Sequence, residues 1–207
     1  MNNNYTFTLL IYTILRGAAT TALLAFSHER VTIVNNVIPF SGEDKLVARL
    51  AESLALACGL SPDTAKLISD AAALHDVGKS RIPEYILHKP GSLSSSEFAI
   101  MKTHTIWGAN ILSHLCGEIK TVAMNISAFH HEKWDGTGYW ARKGGEIPYY
   151  CQMVSVCDIY VALTSSYRPY KEPWPPSEAL NYIKNESGKT FCPALVNVFQ
   201  SLIPQAT

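Results

Sequence analysis

No CxxC pair occurs among the five cysteines, Cys58, Cys116, Cys151, Cys157 and Cys192, and their number is odd. A disulfide framework or a zinc ribbon is therefore not expected; free, mostly buried thiols in a reducing, cytoplasmic setting are. Charge of one sign is also missing, since Lys plus Arg and Asp plus Glu are 17 each. The balance gives no sign of a DNA, RNA or anionic-membrane partner, and an anion site must be built locally from a few cations or metal ions. Long hydrophobic runs are lacking too. The eleven residues Tyr5 to Leu15 are largely apolar, but Arg16 and Gly17 interrupt the run before Ala18 to Phe26. Such a run falls short of a membrane span. Met1-Asn2-Asn3-Asn4 has no positive start of the signal-peptide kind. Residues 5–26 are expected to pack on the main domain or on a second copy of the chain; membrane contact is the less favoured alternative.

What the sequence does have is apolar material. Of 207 residues 47% are hydrophobic and 16% charged, enough for a sizeable core. Residues 1–42 read as an N-terminal extension, helical or mixed, that closes on Pro39-Phe40-Ser41-Gly42. Residues 43–207 read as the domain. Leu46, Val47, Leu50, Leu54 and Ala57 recur at helical spacing, and Gly59 stops that helix. Ser61-Pro62 starts a second helix, expected to run through Ala65, Ile68, Ala72 and Leu74 to His75-Asp76. Ser94 and Glu97 form a capping box that opens one long helix to Leu112, with His104 in its middle. Further helices are expected over Glu118 to His131, from Pro148 to Leu163, and from Ser177 and Pro193 onward. Gly-rich Asp135 to Gly145 and Pro169 to Pro176 are loops. Only Val31 to Val37 alternates with period two, so the fold class is all-α.

Seven histidines carry little information as a count; their grouping carries more. His75-Asp76 and His130-His131 are doublets at helix ends. His104 lies on another helix, and Asp158 sits between Cys157 and Ile159 in an apolar one. A carboxylate buried there needs a partner, and a metal is one. Adjacent helical residues diverge by about 100°. Each doublet therefore serves two ions side by side, or turns one member inward at a helix end. Imidazole and carboxylate without thiolate favour iron, manganese or similar ions, two of them bridged by a carboxylate. Such a pair acidifies a water and polarises a phosphoryl oxygen, which is phosphoester-cleaving chemistry. Lys79, one turn after His75, and Arg168 and Lys171 are the candidate cations for a phosphate.

In this order the residues resemble a known family. The run His75-Asp76-Val77-Gly78-Lys79 is followed by Ile82-Pro83, Ile86-Leu87, Lys89-Pro90-Gly91, Leu93 and Glu97. His104 with Gly108, His130-His131-Glu132, Asp135-Gly136 and Gly138-Tyr139 come next. Asp158, Ala162-Leu163-Thr164-Ser165, Arg168-Pro169-Tyr170-Lys171, Phe191 and Pro193 complete the set. Over about residues 43 to 203 this is similar to the HD-GYP subgroup of the HD phosphohydrolases. The resemblance implies an all-α HD-type fold and two or three divalent ions, commonly iron or manganese. It implies hydrolysis of cyclic di-GMP, or a related cyclic dinucleotide, to linear pGpG or GMP. It assigns His75, Asp76, His104, His130, His131 and Asp158 as ligands, Asp76 bridging, with Asp76 and Lys79 at the catalytic centre. Lys79, Arg168 and Lys171 fall to the substrate phosphates. Gly138 and Tyr139 fall to the substrate side and to contacts with a diguanylate cyclase domain.

Three positions depart from that pattern. The family's metal-binding His on the preceding helix falls, by register, on Glu43, a competent hard ligand. His28 superficially resembles the missing residue but lies fifteen residues earlier. Trp140 stands where the family has Pro, which predicts a reshaped or looser loop, or an indole that stacks on a base. Val161 stands where an acid is common, which predicts a charge lost from the rim of the site or from the groups behind its ligands, and lower activity. These departures keep two alternatives open: a cyclic-dinucleotide receptor or docking module without turnover, and another phosphohydrolase of the HD class.

Overall fold

In a computed structural model the chain is described over residues 42–166 and 172–203. The expectations for residues 5–26, His28, Val31 to Val37, Arg168 and Lys171 lie outside the described residues. Among the described residues the elements are α1 (Gly42–Ala57), α2 (Pro62–Ala72), a 3-10 turn (Val77–Arg81) and the short α3 (Glu84–Leu87). They continue with α4 (Ser95–Lys102), α5 (His104–Leu112) and α6 (Glu118–Phe129). A second 3-10 turn (Gly144–Glu146) then precedes α7 (Tyr149–Thr164), α8 (Pro176–Asn185) and α9 (Pro193–Leu202). There is no strand among them, only an isolated bridge between Ser187 and Phe191. No described helix is long and apolar enough to cross a membrane.

Local chemistry sets the helix starts. Ser61 accepts from the Thr64 N–H with Pro62 in the first turn. The capping box of Ser94 and Glu97 is present in full, and Lys89 donates to both Glu97 oxygens at 2.9 and 2.7 Å. The core is built around α7. Its Met153, Val154, Val156 and Cys157 are buried with Leu54 and Ala55 of α1, Ile68 and Ala72 of α2, Ile126 of α6 and Phe199 of α9. All five cysteines are free; Cys151, Cys157 and Cys192 are buried as expected, whereas Cys116 is exposed and Cys58 half-buried.

Three helix boundaries differ from those expected, and they share one feature. The second helix ends at Ala72, before His75-Asp76. The long helix is broken at Thr103, so His104 opens a new helix and is not at the middle of an old one. The sixth ends at Phe129. At each end a histidine ring takes a carbonyl of the last turn. His75 Nδ1 lies 2.8 Å from the Ala72 carbonyl, His104 Nδ1 2.7 Å from that of Met101, and His130 Nδ1 3.0 Å from those of Ile126 and Ser127. Each ring N–H thus adds a side-chain bond to a carbonyl that already accepts a backbone N–H at the C-terminal end of its helix.

The 3-10 turn after His75 rests directly on α5. A Cβ on Gly78 would lie 1.9 Å from the His104 carbonyl oxygen and 2.4 Å from the Gly108 nitrogen. One on Gly108 would lie 2.1 Å from Ser127 Oγ, which itself donates to the His75 carbonyl at 3.0 Å. Gly78, Gly108 and Ser127 thus lock the His75, His104 and His130 segments together. Gly78→Ala collides with backbone and is expected to lower the melting temperature by roughly 3–10 °C. Gly145→Ala, which meets nothing within 4 Å, should change it by no more than about 2 °C. Thermal denaturation of the two variants checks this; equal shifts would refute the close-contact account.

Candidate metal centre

Asp76 is the hub. Its Oδ1 lies 3.3 Å from His104 Nε2 and 3.7 Å from His130 Nε2. Its Oδ2 lies 3.3 Å from His75 Nε2 and pairs with Lys79. Asp158, from α7, brings Oδ1 to 3.6 Å from His75 Nε2, so the carboxylate in the apolar helix has the partner its burial demands. His75, His104 and His130 are each about 1% exposed.

A backbone carbonyl only accepts, so each of the three histidines bonded through Nδ1 carries its proton there. In the neutral ring Nε2 is then left with a lone pair facing the carboxylates, the tautomer that ligates metal. His75 has a second feature: burial works against its charge, but Asp76 and then Asp158 hold its pKa well above the ordinary value in the metal-free protein. Burial, with His131 and His75 nearby, pushes His130 well below it. Burial likewise takes His131 down to about 4. Burial opposes the charge on Asp76, yet His75 and Lys79 keep its carboxyl well below the usual range.

Three buried atoms here have no hydrogen-bond partner: Asp76 Oδ1, His104 Nε2 and His130 Nε2. Each orphan costs about 1–3 kcal/mol, and they converge on one spot. That pattern fits divalent metal ions and little else. Three overlapping sets have ligand atoms within 4.8 Å of one another: Asp76, His104, His130 and His131; His75, His130 and Asp158; and Asp44, His75 and Asp76.

The six histidines and aspartates singled out in the sequence are therefore brought together. His130 and His131 reach one set because His131 lies beyond the end of α6, the inward turn that the doublet allowed. Lys79 reaches the site by pairing with Asp76 from the 3-10 turn, not from a shared helical face, because α2 has already ended. Glu43 is in the first turn of α1, but the carboxylate grouped with His75 and Asp76 is that of its neighbour Asp44. A register counted along α1 is too coarse to separate adjacent acids; only the packing of α1 does so. Val161 is buried in the core, 5% exposed, so of the two places expected for a missing charge burial excludes the exposed rim.

The Gly-rich loop folds tightly over the site. A Cβ on Gly138 would lie 2.5 Å from Glu132 Cα, and Tyr139 rests on His131 with ring centroids 4.6 Å apart. Glu132, 3% exposed, accepts from the Trp140 N–H at 2.7 Å and the Arg142 N–H at 2.8 Å. Trp140 Nε1 donates to Thr105 Oγ1 at 3.0 Å. The loop expected to loosen with Trp140 is thus tied at both its backbone and its indole. Glu132 belongs to the His130-His131-Glu132 run, but the sequence assigns it no role; Thr105 has no signal there beyond adjacency to a histidine.

Comparison with known proteins shows the family. A family model described as HD domain matches residues 29–195, and the chain belongs to the HD domain family, of the HD-GYP type. It is 41% identical over 153 residues to 3'3'-cGAMP-specific phosphodiesterase 2 of Vibrio cholerae, an alignment that spans 73% of this protein and 29% of that one. It is 42% identical over 163 residues to a cyclic di-GMP phosphodiesterase of Thermotoga maritima, spanning 78% and 43%. The protein thus spans less than half the length of these relatives. In fold it is similar to an HDG"Y"P protein from Bdellovibrio bacteriovorus, with TM-score 0.62 and 21% identity over 97% of this protein and 63% of that one. The HD domain of the L. monocytogenes phosphodiesterase PgpH, solved with cyclic-di-AMP, gives TM-score 0.59 at 18% identity, over 84% and 93%.

Metal should stabilise the fold, because it satisfies orphaned atoms. Added manganese at 100 times its dissociation constant is expected to stabilise by about 2.7 kcal/mol, and chelator to remove the gain. Asp76→Ala should abolish the rise, read by thermal denaturation with elemental analysis; full metal content in that variant would refute the site. Uptake also displaces the His75 proton. Affinity should therefore rise with pH until the raised His75 pKa is passed, and loading in weak buffer should release protons.

Proposed function

We propose that this protein is a metal-dependent phosphodiesterase domain that hydrolyses a cyclic dinucleotide, cyclic di-GMP first among them, to linear pGpG or GMP. The observation that carries it is the convergence of Asp76 Oδ1, His104 Nε2 and His130 Nε2, buried and unpartnered, beneath a half-exposed cation, Lys79. The named activities of the curated relatives, which include cyclic di-GMP and 3'3'-cGAMP phosphodiesterases, support the substrate class.

The histidines limit how the ligands divide. Each of His75, His104 and His130 has one free nitrogen, so each serves one ion; only carboxylates bridge. Asp76, His104, His130 and His131 would hold one ion, and His75 would serve a second, with Asp44 and Asp158 as the further carboxylates grouped with it. Two ions are the number the described imidazoles support, with iron or manganese the metals this donor set favours. When bound, such a pair lowers the pKa of a water and polarises the phosphoryl oxygen. The protein's own groups do the rest. Lys79, whose charge Asp76 favours against its burial, is placed to hold a phosphate oxygen, and Tyr139 and the loop behind it shield the site from bulk water. Arg168 and Lys171 are carried over from the family pattern as further phosphate contacts.

Protein purified under reducing conditions and loaded with manganese or iron should linearise cyclic di-GMP. Nucleoside mono- and triphosphates, assayed alongside, should be left intact. Lys79→Ala should cost about a hundredfold in rate with metal retained. Asp44→Asn should lower metal content more than Glu43→Gln does. Metal-loaded protein that cleaves no cyclic dinucleotide would sink this reading.

A further inference from the structure

Next to the metal centre stands an aromatic cluster that the ligand set does not use. Phe98 of α4 is 43% exposed and Trp140 of the loop 40%. Tyr139 lies between the cluster and the metal site, edge-on to Phe98 with centroids 5.7 Å apart and tilted against His131 at 4.6 Å. Lys102, at the end of α4, holds its ammonium 5.8 Å from the Phe98 ring centroid and 5.9 Å from those of Tyr139 and Trp140. Among the described residues no carboxylate pairs with that ammonium. Rings hold the cation by their faces but accept none of its three N–H bonds in the way an oxygen does.

The cluster is also fixed in place. The Trp140 indole is held through Nε1 by Thr105, the residue after His104, and its backbone by Glu132, the residue after His131. A partly exposed indole anchored by both ends is a platform whose ordering cost is already met. Its anchors are sequence neighbours of two proposed metal ligands, so anything that stacks on it lies beside the reacting centre.

We propose that Trp140 and Phe98, with Lys102 between them, form a nucleobase subsite that selects guanine at one end of the dinucleotide. The inference rests on the phosphodiesterase reading above and adds which base is read and by what. An indole face stacks on any purine. The ammonium discriminates, because guanine presents two acceptors, O6 and N7, on one edge, whereas adenine replaces the oxygen with an N–H donor. Lys102 therefore gains an acceptor pair from guanine and meets a like donor in adenine.

The test compares wild type, Lys102→Met, Lys102→Arg and Trp140→Ala on cyclic di-GMP, 3'3'-cGAMP and cyclic di-AMP. Steady-state kinetics, stopped-flow indole emission and metal content are measured for each. Wild type should prefer the two guanine-containing substrates. Lys102→Met should raise KM for cyclic di-GMP by roughly tenfold and leave cyclic di-AMP nearly unchanged. Lys102→Arg should keep the preference. Trp140→Ala should raise KM for all three substrates by roughly ten- to a hundredfold with kcat little changed, and should remove the emission change on mixing. All variants should retain wild-type metal. Equal use of cyclic di-AMP by wild type overturns the subsite, as does a Lys102→Met effect that is equal on all substrates or absent. A wild type that neither binds nor cleaves any of the three, though loaded with metal, overturns the phosphodiesterase reading and the subsite with it.

Discussion

The bond on which the rest depends is the one from an imidazole Nδ1–H to a carbonyl in the last turn of a helix. It occurs three times, at the ends of α2, α4 and α6. Each bond does two things. It ties the ring to the end of the helix, and it fixes the tautomer so that the Nε2 lone pair of the neutral ring faces inward. Helix end and ligand orientation therefore coincide here.

Three such ends make one site only if they are brought to one point. The contacts at Gly78, Gly108 and Ser127 do that. Two missing Cβ atoms let the His75-Asp76 turn sit on the backbone of α5, and Ser127 bonds the His75 carbonyl across the junction. The cost is local: polar atoms of Asp76, His104 and His130 are buried without partners. A fold that needed only stability would fill that space with apolar side chains. Buried charge of mixed sign and orphaned lone pairs are tolerated where a multivalent cation is the intended occupant.

The fold class and the six-residue cluster were legible in the sequence because both are written in pattern: helical spacing for one, paired ligands at helix ends for the other. Boundaries were less legible. Apolar spacing alone carries α2 through to Asp76 and runs α4 and α5 together, since helix propensity says nothing about a histidine ring that bonds a carbonyl. Glu43 and Asp44 mark the same limit from another side. Two acids in adjacent positions are equivalent in composition and nearly so in register, and only the packing of α1 against its neighbours turns one of them towards His75. Lys102 and Thr105 carry no signal in the sequence for a related reason, because their roles arise from contacts with a loop far along the chain.

Trp140 shows how a departure from pattern is absorbed. Glu132 is buried, so its carboxylate needs donors, and the loop supplies two, the N–H groups of Trp140 and Arg142. Between them Ala141 takes φ of 60°, a left-handed conformation uncommon for a residue with a Cβ. The two N–H groups converge on one anion much as in a backbone nest, and the carboxylate holds the strained residue in place. Proline at 140 has no N–H and contributes one donor fewer to that nest. Tryptophan restores the donor and adds an indole long enough to reach Thr105 beside His104. The substitution therefore does not slacken the loop. It ties the loop to the helix that carries a proposed ligand, and it leaves an aromatic face exposed beside the centre.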